Sequence, residues 1–393
     1  MSDPVVIVGA ARTPMGGFQG ELSGASASDL GGAAIAAALA RAGVAAVDVD
    51  ELLMGCVLPA GQGQAPARQA GFKGGLSEAV PATTLNKMCG SGMKAVMIAH
   101  DQLLAGNGRV LVAGGMESMT NAPYLLPKMR SGARLGHAEV KDHMFLDGLE
   151  DAYEPGRLMG SFAEDCAEKY QFTREAQDAY ALESLGGARR AQATGAFAAE
   201  IVPVTVKGRE GAAEITEDEQ PNTARPEKIP GLKPAFRKDG TITPANASSI
   251  SDGAAALVLM RESEAKARGL TIRARLLGHA SHAQEPGWFT TAPVPAMKAV
   301  MAKAGWSVED VDLWEVNEAF AVVPMAAMAE IGMARDRLNV NGGACALGHP
   351  IGASGARILV TLLHALEARG GKRGIAALCI GGGEGTAVAM ELV

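Results

Sequence analysis

The chain has 393 residues, more than one hydrophobic core usually serves, so two or three domains are expected. Its net charge of −7, with no Lys/Arg block, excludes an extended nucleic-acid or anionic-membrane surface; a small anionic ligand can still be held by a local basic patch or a helix N-terminus. Five scattered cysteines without a C-x-x-C pair speak against a disulfide framework or zinc site, and 50 glycines against 4 % aromatics point to close packing of helices and strands.

The opening "MSDPVVIVGAARTP" lacks the basic start of a signal or transit peptide, and "AMELV" is no peroxisomal or retention signal, so a cytoplasmic protein is expected. "VVIVG" is apolar without alternation, as a strand buried on both faces is. A helix follows, with Ser28 or Asp29 as its N-cap and Gly43 as its stop. In "NKMCGSGMKAVMIAH", Met93, Val96 and Met97 recur at helical intervals behind Cys89, and "GRVLVAGGMESM" is a second buried strand. Alternating strand and helix imply a largely parallel sheet covered by helices. From Asn121 to about Ser251 polar, Gly- and Pro-containing segments flank the helical "SFAEDCAEKYQFTREAQDAYALESLGGARRAQ", an insertion expected to cover a ligand.

The last third repeats the opening style. "ALGHPIGASGARILVTLLHALEARGGKRGIAALCIGGGEG" has the element order of "NKMCGSGMKAVMIAHDQLLAGNGRVLVAGGMES": glycine turn, helix, loop, apolar strand, glycine turn. The expected fold class is α/β, with two duplicated halves of helices and mixed, largely parallel sheets, and an inserted α+β loop domain. The boundaries drawn are 1–120 for the first half (completed by about 250–270), 121–249 for the insertion and 271–393 for the second half.

Four side chains on these turns carry candidate chemistry. Cys89 is either a buried small hydrophobe or a nucleophile. Room left by Gly90, Ser91 and Gly92, and a helix N-terminus that would stabilise a thiolate, favour the nucleophile. His349 lies in "NGGACALGHPIGASG", a run too rich in glycine for an ordinary helix, where a structural and a catalytic histidine are both open readings. Cys379 ends an apolar strand before Gly381–Gly383; its surroundings lack the spacing and Lys-Ser/Thr of a phosphate loop. Asn317 of "WEVNEAFA" is either a helix cap or an amide aimed at a developing oxyanion.

"NKMCGSGMKA", "NASSISDGAA", "NEAFA", "GGACALGHPIGASG" and "CIGGGEG", in this order behind "VVIVGAARTPMGGFQG", resemble the thiolase family over essentially the whole chain, and within it the biosynthetic, acetyl-CoA-condensing branch. The resemblance implies a reversible Claisen condensation of two acetyl-CoA to acetoacetyl-CoA and CoA, through an acyl group held on Cys89. It implies that His349 takes the Cys89 proton and that Cys379 is the base of the condensation step. His349, with a water held by Asn317, would serve the enolate, and the N–H groups of Cys89 and Gly381 the tetrahedral intermediate. Ser248, Phe236, Leu149, Met159, Ala319 and Phe320 are the implied pantetheine contacts, and Arg225 an implied contact near the nucleotide. The implied cofactor list is empty: CoA and acetyl-CoA are substrates, and no metal is called for. A homotetramer is implied, a dimer being the alternative, with "SGARLGHAEVKDHM" as the assembly loop.

Departures from the common family pattern occur at Leu158, Asn222, Phe289-Thr290 and Cys345; they bear on acyl length and CoA affinity rather than reaction class. A 3-ketoacyl-CoA thiolase of broader chain length is the nearest alternative function. A Cys–His–Asn hydrolase would leave Cys379 without a task. A carrier-protein ketoacyl synthase resembles the chain less, since that family places a second histidine at the Cys379 turn. A CoA-binding scaffold without turnover is the reading outside enzymes.

Overall fold

The computed structural model describes residues 3–208 and 211–393. Its first half is built from β1 (Val5–Arg12), α1 (Ala27–Ala42), β2 (Glu51–Gly55), α2 (Pro66–Lys73), β3 (Ala82–Leu85), α3 (Ser91–Leu104) and β4 (Val110–Ser118). The insertion carries α4 (Met159–Tyr170) and α5 (Arg174–Ala193), with a short hairpin of Val204–Gly208 on Gly211–Ile215. The chain then returns through β5 (Ser251–Arg261) into the first half's sheet. The second half follows as β6 (Ala274–Ala283), α6 (Pro293–Ala304), β7 (Leu313–Val316), α7 (Val322–Ile331), α8 (Ser354–Arg369), β8 (Arg373–Ile380) and β9 (Glu384–Leu392).

The strands lie in the order β7-β8-β9-β6-β1-β5-β4-β2-β3, and a short antiparallel ladder, Val5 opposite Leu276, joins the halves. The α/β class and the repeated halves are present. Parallel order is confined to β2–β3, β2–β4 and β7–β8; the remaining ladders of this sheet are antiparallel. The parallel strands are those joined through helical crossovers, whereas β5 and β9 enter antiparallel to their neighbours.

Burial explains the unbroken apolar runs. Val6 and Val8 of β1 face α1 and α2, while Val5 and Ile7 face α3 and α8. In β8, Ile375, Ala377 and Cys379 face α6 and α7, and Ala376 and Leu378 face α3 and α8. Helices therefore lie outside each half, and α3 and α8 share the layer between them. The two central helices cross closely at their starts: a Cβ on Gly92 would meet Ala356 N at 2.8 Å, and one on Gly355 would strike the backbone of Met93. Each half's "SG" thus serves the close approach of the other.

One cap differs from expectation. Ser26, not Ser28 or Asp29, caps α1: its hydroxyl accepts from Asp29 N–H while the Asp29 carboxylate accepts from Ser26 N–H, a reciprocal pair that starts the helix two or three residues earlier. Gly43 ends it at φ 66°, in the left-handed region.

Candidate active site

The shared middle layer brings two helix starts to one cavity. Cys89 lies two residues before α3, on a turn that Ser91 holds by accepting Lys87 N–H at 2.8 Å and donating to Met88 O at 2.6 Å. Met88 takes φ 47°, left-handed for a non-glycine residue, at a cost of roughly 1–2 kcal/mol. The surrounding packing thus enforces the turn that turns Cys89 toward the cavity. Cys89 keeps part of its surface open there.

The glycine turn after β8 closes over this thiol. Gly381 N–H and Cys89's own N–H both point at the Cys89 sulfur and favour its thiolate, but burial outweighs them and pushes the thiol up to about 11. The helix start that favours a thiolate is present, yet desolvation wins, so Cys89 rests as a thiol and needs a base. Lys87 and Glu384 form an ion pair from one turn to the other. A Cβ on Gly90 would press on the Ile380 side chain, so glycine there lets the turns pack closely. Cys379 is fully buried; burial and the neighbouring Cys89 raise its thiol well above the ordinary range.

His349 supplies the missing base. Ser354 donates to Pro350 O at 3.0 Å, so its oxygen accepts Nδ1–H of His349 at 2.5 Å. That assignment leaves Nε2 unprotonated, able to accept a proton. Burial first, then the Arg357 charge, lowers His349 to about 3, so the ring is neutral at physiological pH. Asn317 Nδ2 lies 3.5 Å from His349 Nε2. The helix-cap reading of Asn317 fails, because α7 begins at Val322 with Ala321 before it. Its Oδ1 is buried and meets no protein donor among the described residues.

Two buried carboxylates brace these turns. Glu117, at the end of β4, accepts N–H from Val57 at 2.8 Å, Leu58 at 3.1 Å and Gly352 at 2.9 Å, and burial raises it to about 7. Glu318 accepts from Tyr180 at 3.0 Å, Asn339 at 2.8 Å, Ser184 at 2.7 Å and Cys345 N–H at 3.0 Å, fixing the residue that follows Asn317.

The cavity measures about 330 Å³, and Cys89, His349 and Gly381 share its wall with apolar side chains. Phe320 packs edge-on to Phe236 and Phe289, with ring centres 6.1 and 6.5 Å apart. A largely apolar pocket holding a thiol, a neutral imidazole and inward N–H groups suits transfer of an acyl group between sulfurs.

Comparison with known proteins gives this geometry its family. Residues 5–263 match the thiolase N-terminal domain and residues 270–392 the thiolase C-terminal domain. The chain belongs to the thiolase family. It is 50 % identical over 389 residues to an acetyl-CoA acetyltransferase of Cupriavidus necator, covering 98 % of this chain and 99 % of that protein. It is 51 % identical over 392 residues to acetyl-CoA acetyltransferase 2 of Arabidopsis thaliana, covering 99 % and 97 %. The crystal structure of the Bacillus anthracis acetyl-CoA acetyltransferase superposes with a TM-score of 0.97 at 41 % identity, covering 100 % of this chain and 99 % of that one.

In this thiolase the side chains expected at the site largely converge. Ser248, Phe236, Leu149, Met159, Ala319 and Phe320 all line the cavity with Cys89, His349 and Gly381. Cys379 and Asn317 stand behind its wall, fully buried, beside Cys89 and His349 respectively. Arg225 does not join them: it is exposed, just before the turn Pro226–Gly231, outside the cavity lining. Leu158 and Phe289, noted as departures, both face the cavity. Ser354, Glu117 and Arg357 were not singled out from sequence. Only Ser354 carried a signal, five residues after His349 in "HPIGASG".

Proposed function

We propose that this thiolase is an acetyl-CoA C-acetyltransferase, joining two acetyl-CoA into acetoacetyl-CoA and CoA and running the reverse cleavage. The reading rests on one observation above all: two thiols from the two halves meet through the Gly381 turn, one open to the cavity and one behind it. The near full-length relatives named acetyl-CoA acetyltransferase support the same conclusion.

In the first half-reaction His349 Nε2 takes the Cys89 proton while the sulfur attacks the thioester carbonyl. Cys89 N–H and Gly381 N–H receive the developing oxyanion, and the proton leaves on the sulfur of CoA. In the second, Cys379, once it has given its own proton to the medium, removes one from the methyl group of a second acetyl-CoA and keeps it, and the Cys89 sulfur freed at the end is reprotonated from the medium. The enolate oxygen is met by Asn317 and His349, and the carbanion attacks acetyl-Cys89, breaking its C–S bond to regenerate the Cys89 sulfur. CoA thioesters enter as substrates, and the scheme calls on no metal. Phe236, Phe289 and Phe320 wall the cavity and favour a short acyl group.

The proposal extends to a homotetramer in the cytoplasm. Residues around 121–144 expose Tyr124, Leu126, Met129, Val140 and Leu135, the last at 96 %, an apolar arm suited to burial against other subunits. Five unpaired cysteines suit a reducing compartment. Light scattering of the intact protein and of Leu135→Asp tests the arm; equal mass for both would remove it from the assembly.

The activity is tested by intact and peptide mass after mixing with acetoacetyl-CoA and CoA, with acetyl-CoA release followed alongside. An acetyl adduct on Cys89 with release is expected. Neither adduct nor release would overturn the reading.

A further inference from the structure

Behind His349 and Asn317 lies a pair of charges that the reaction scheme leaves unused. Glu315 of β7 and Arg357 of α8 are 1 % and 0 % exposed, with Arg357 Nη1 3.6 Å from Glu315 Oε2. That is too long for a hydrogen bond. Among the described residues no protein acceptor meets Arg357 Nε, Nη1 or Nη2, and no donor meets either oxygen of Glu315. The surrounding charges are committed elsewhere. Arg12 is held by Asp218 at 2.6 and 2.9 Å and by Glu200 at 2.6 Å, and Glu318 by its four donors. Glu200 also faces His364 at 3.8 Å.

Such a pair is a poor source of stability. Desolvation of two buried charges tends to exceed their attraction when hydrogen bonds are lacking, and apolar side chains of like size often do as well. A guanidinium cannot shed its proton to escape the cost. The placement of the pair gives it another use. Glu315 stands two residues before Asn317 on the same strand end, and Arg357 stands one helical turn after Ser354, which orients His349. The pair therefore spans from the segment that presents the amide to the helix start that presents the imidazole.

We propose that Glu315 and Arg357 are positioning residues for the acyl-transfer reaction, packed between the Asn317 strand end and the His349–Ser354 turn and setting a positive charge behind the imidazole. The proposal rests on the activity assigned above and adds a role to residues outside the cavity. Burial raises the Glu315 carboxyl to about 8, so at neutral pH it is largely protonated and the Arg357 charge is only weakly neutralised. A cation there opposes protonation of His349 and favours negative charge developing on the cavity side. The groups acting on Arg357 are Glu315, Arg12, Glu200 and Glu318; Ser354 and Asn317 contact the imidazole itself.

The double variant Glu315→Gln/Arg357→Met removes the Arg357 charge together with the ionisable carboxyl beside it, so neither group is left facing a charged partner. The expected result is a KM within about twofold of the unaltered protein, a kcat lowered about ten- to a hundredfold, and an NMR titration of His349 moved to higher pH. A double variant with unchanged kcat, or with an unchanged His349 titration, would overturn the proposal. Should it fail to fold, Arg357→Lys decides: the charge is kept but the reach altered. A lowered kcat with the His349 titration in place supports the pair, and any other pattern refutes it. Absence of an acetyl-Cys89 adduct in the unaltered protein would instead refute the assigned activity, while the His349 titrations still judge the pair.

Discussion

The glycine turns that carry Cys89 and Cys379 come from similar stretches of the two halves, yet they leave their thiols in different states. Cys89 sits ahead of a helix on a left-handed turn at Met88, part of its surface open to the cavity, with two N–H groups on its sulfur. Cys379 sits at a strand end, wholly buried against Cys89. One thiol can accept an acyl group from a ligand. The other can only exchange a proton with something held beside it. Element order is shared by the halves; what differs is whether the sulfur precedes a helix or ends a strand, and that difference divides nucleophile from base.

The comparison is tested most harshly at Cys89. Cys89→Ala should abolish acyl transfer, lowering turnover by at least about 10⁴-fold and leaving no acetyl adduct by intact mass. Appreciable residual turnover would mean that the open thiol is not the nucleophile. Cys379→Ala should still take up one acetyl group while condensation falls about 10²- to 10⁴-fold. Near-normal condensation by this variant would erase the division of labour. Asn317→Ala is expected to lower kcat about 10²- to 10³-fold, with the rate of Cys89 acetylation in a rapid-quench experiment much less affected. An equal loss in both steps would move Asn317 from the enolate to the first oxyanion.

The smallest effect is on stability. His349 is held near 3 in the fold against an ordinary value near 6.5, so below pH about 6.5 the unfolded chain takes up a proton that the folded chain refuses. Its contribution is complete above that pH and is lost as pH falls toward 3, with a slope of at most about 1.4 kcal/mol per pH unit. Denaturant unfolding of His349→Asn between pH 4 and 7 should therefore show a shallower acid decline than the unaltered protein. Parallel curves would mean that the imidazole is not buried neutral.

Much of the site was legible because the chemistry is carried by short, ordered runs. Cys89 before "GSG", His349 inside "GHPIGASG" and Cys379 before "GGGEG" each pair a reactive side chain with the glycines that let another backbone approach. The partners that tune them were less visible. Glu117 lies in an ordinary strand end, Glu315 and Arg357 read as charges on a strand and a helix, and Ser26 and Asp29 cap a helix whose start was placed too late. Arg225, proposed from the family resemblance for the nucleotide end of the ligand, is exposed outside the cavity lining.

By itself the sequence determined the α/β class, the repetition of the halves, and which residue types stand on the glycine turns, because periodicity and motif are local properties of the chain. Only the tertiary structure decided that Cys89 rests as a thiol, that His349 is neutral with Nε2 unprotonated, and that Cys379 feels Cys89. Each of these is a balance of desolvation against hydrogen bonds and charges contributed by distant segments. No run of neighbouring residues contains both sides of that balance.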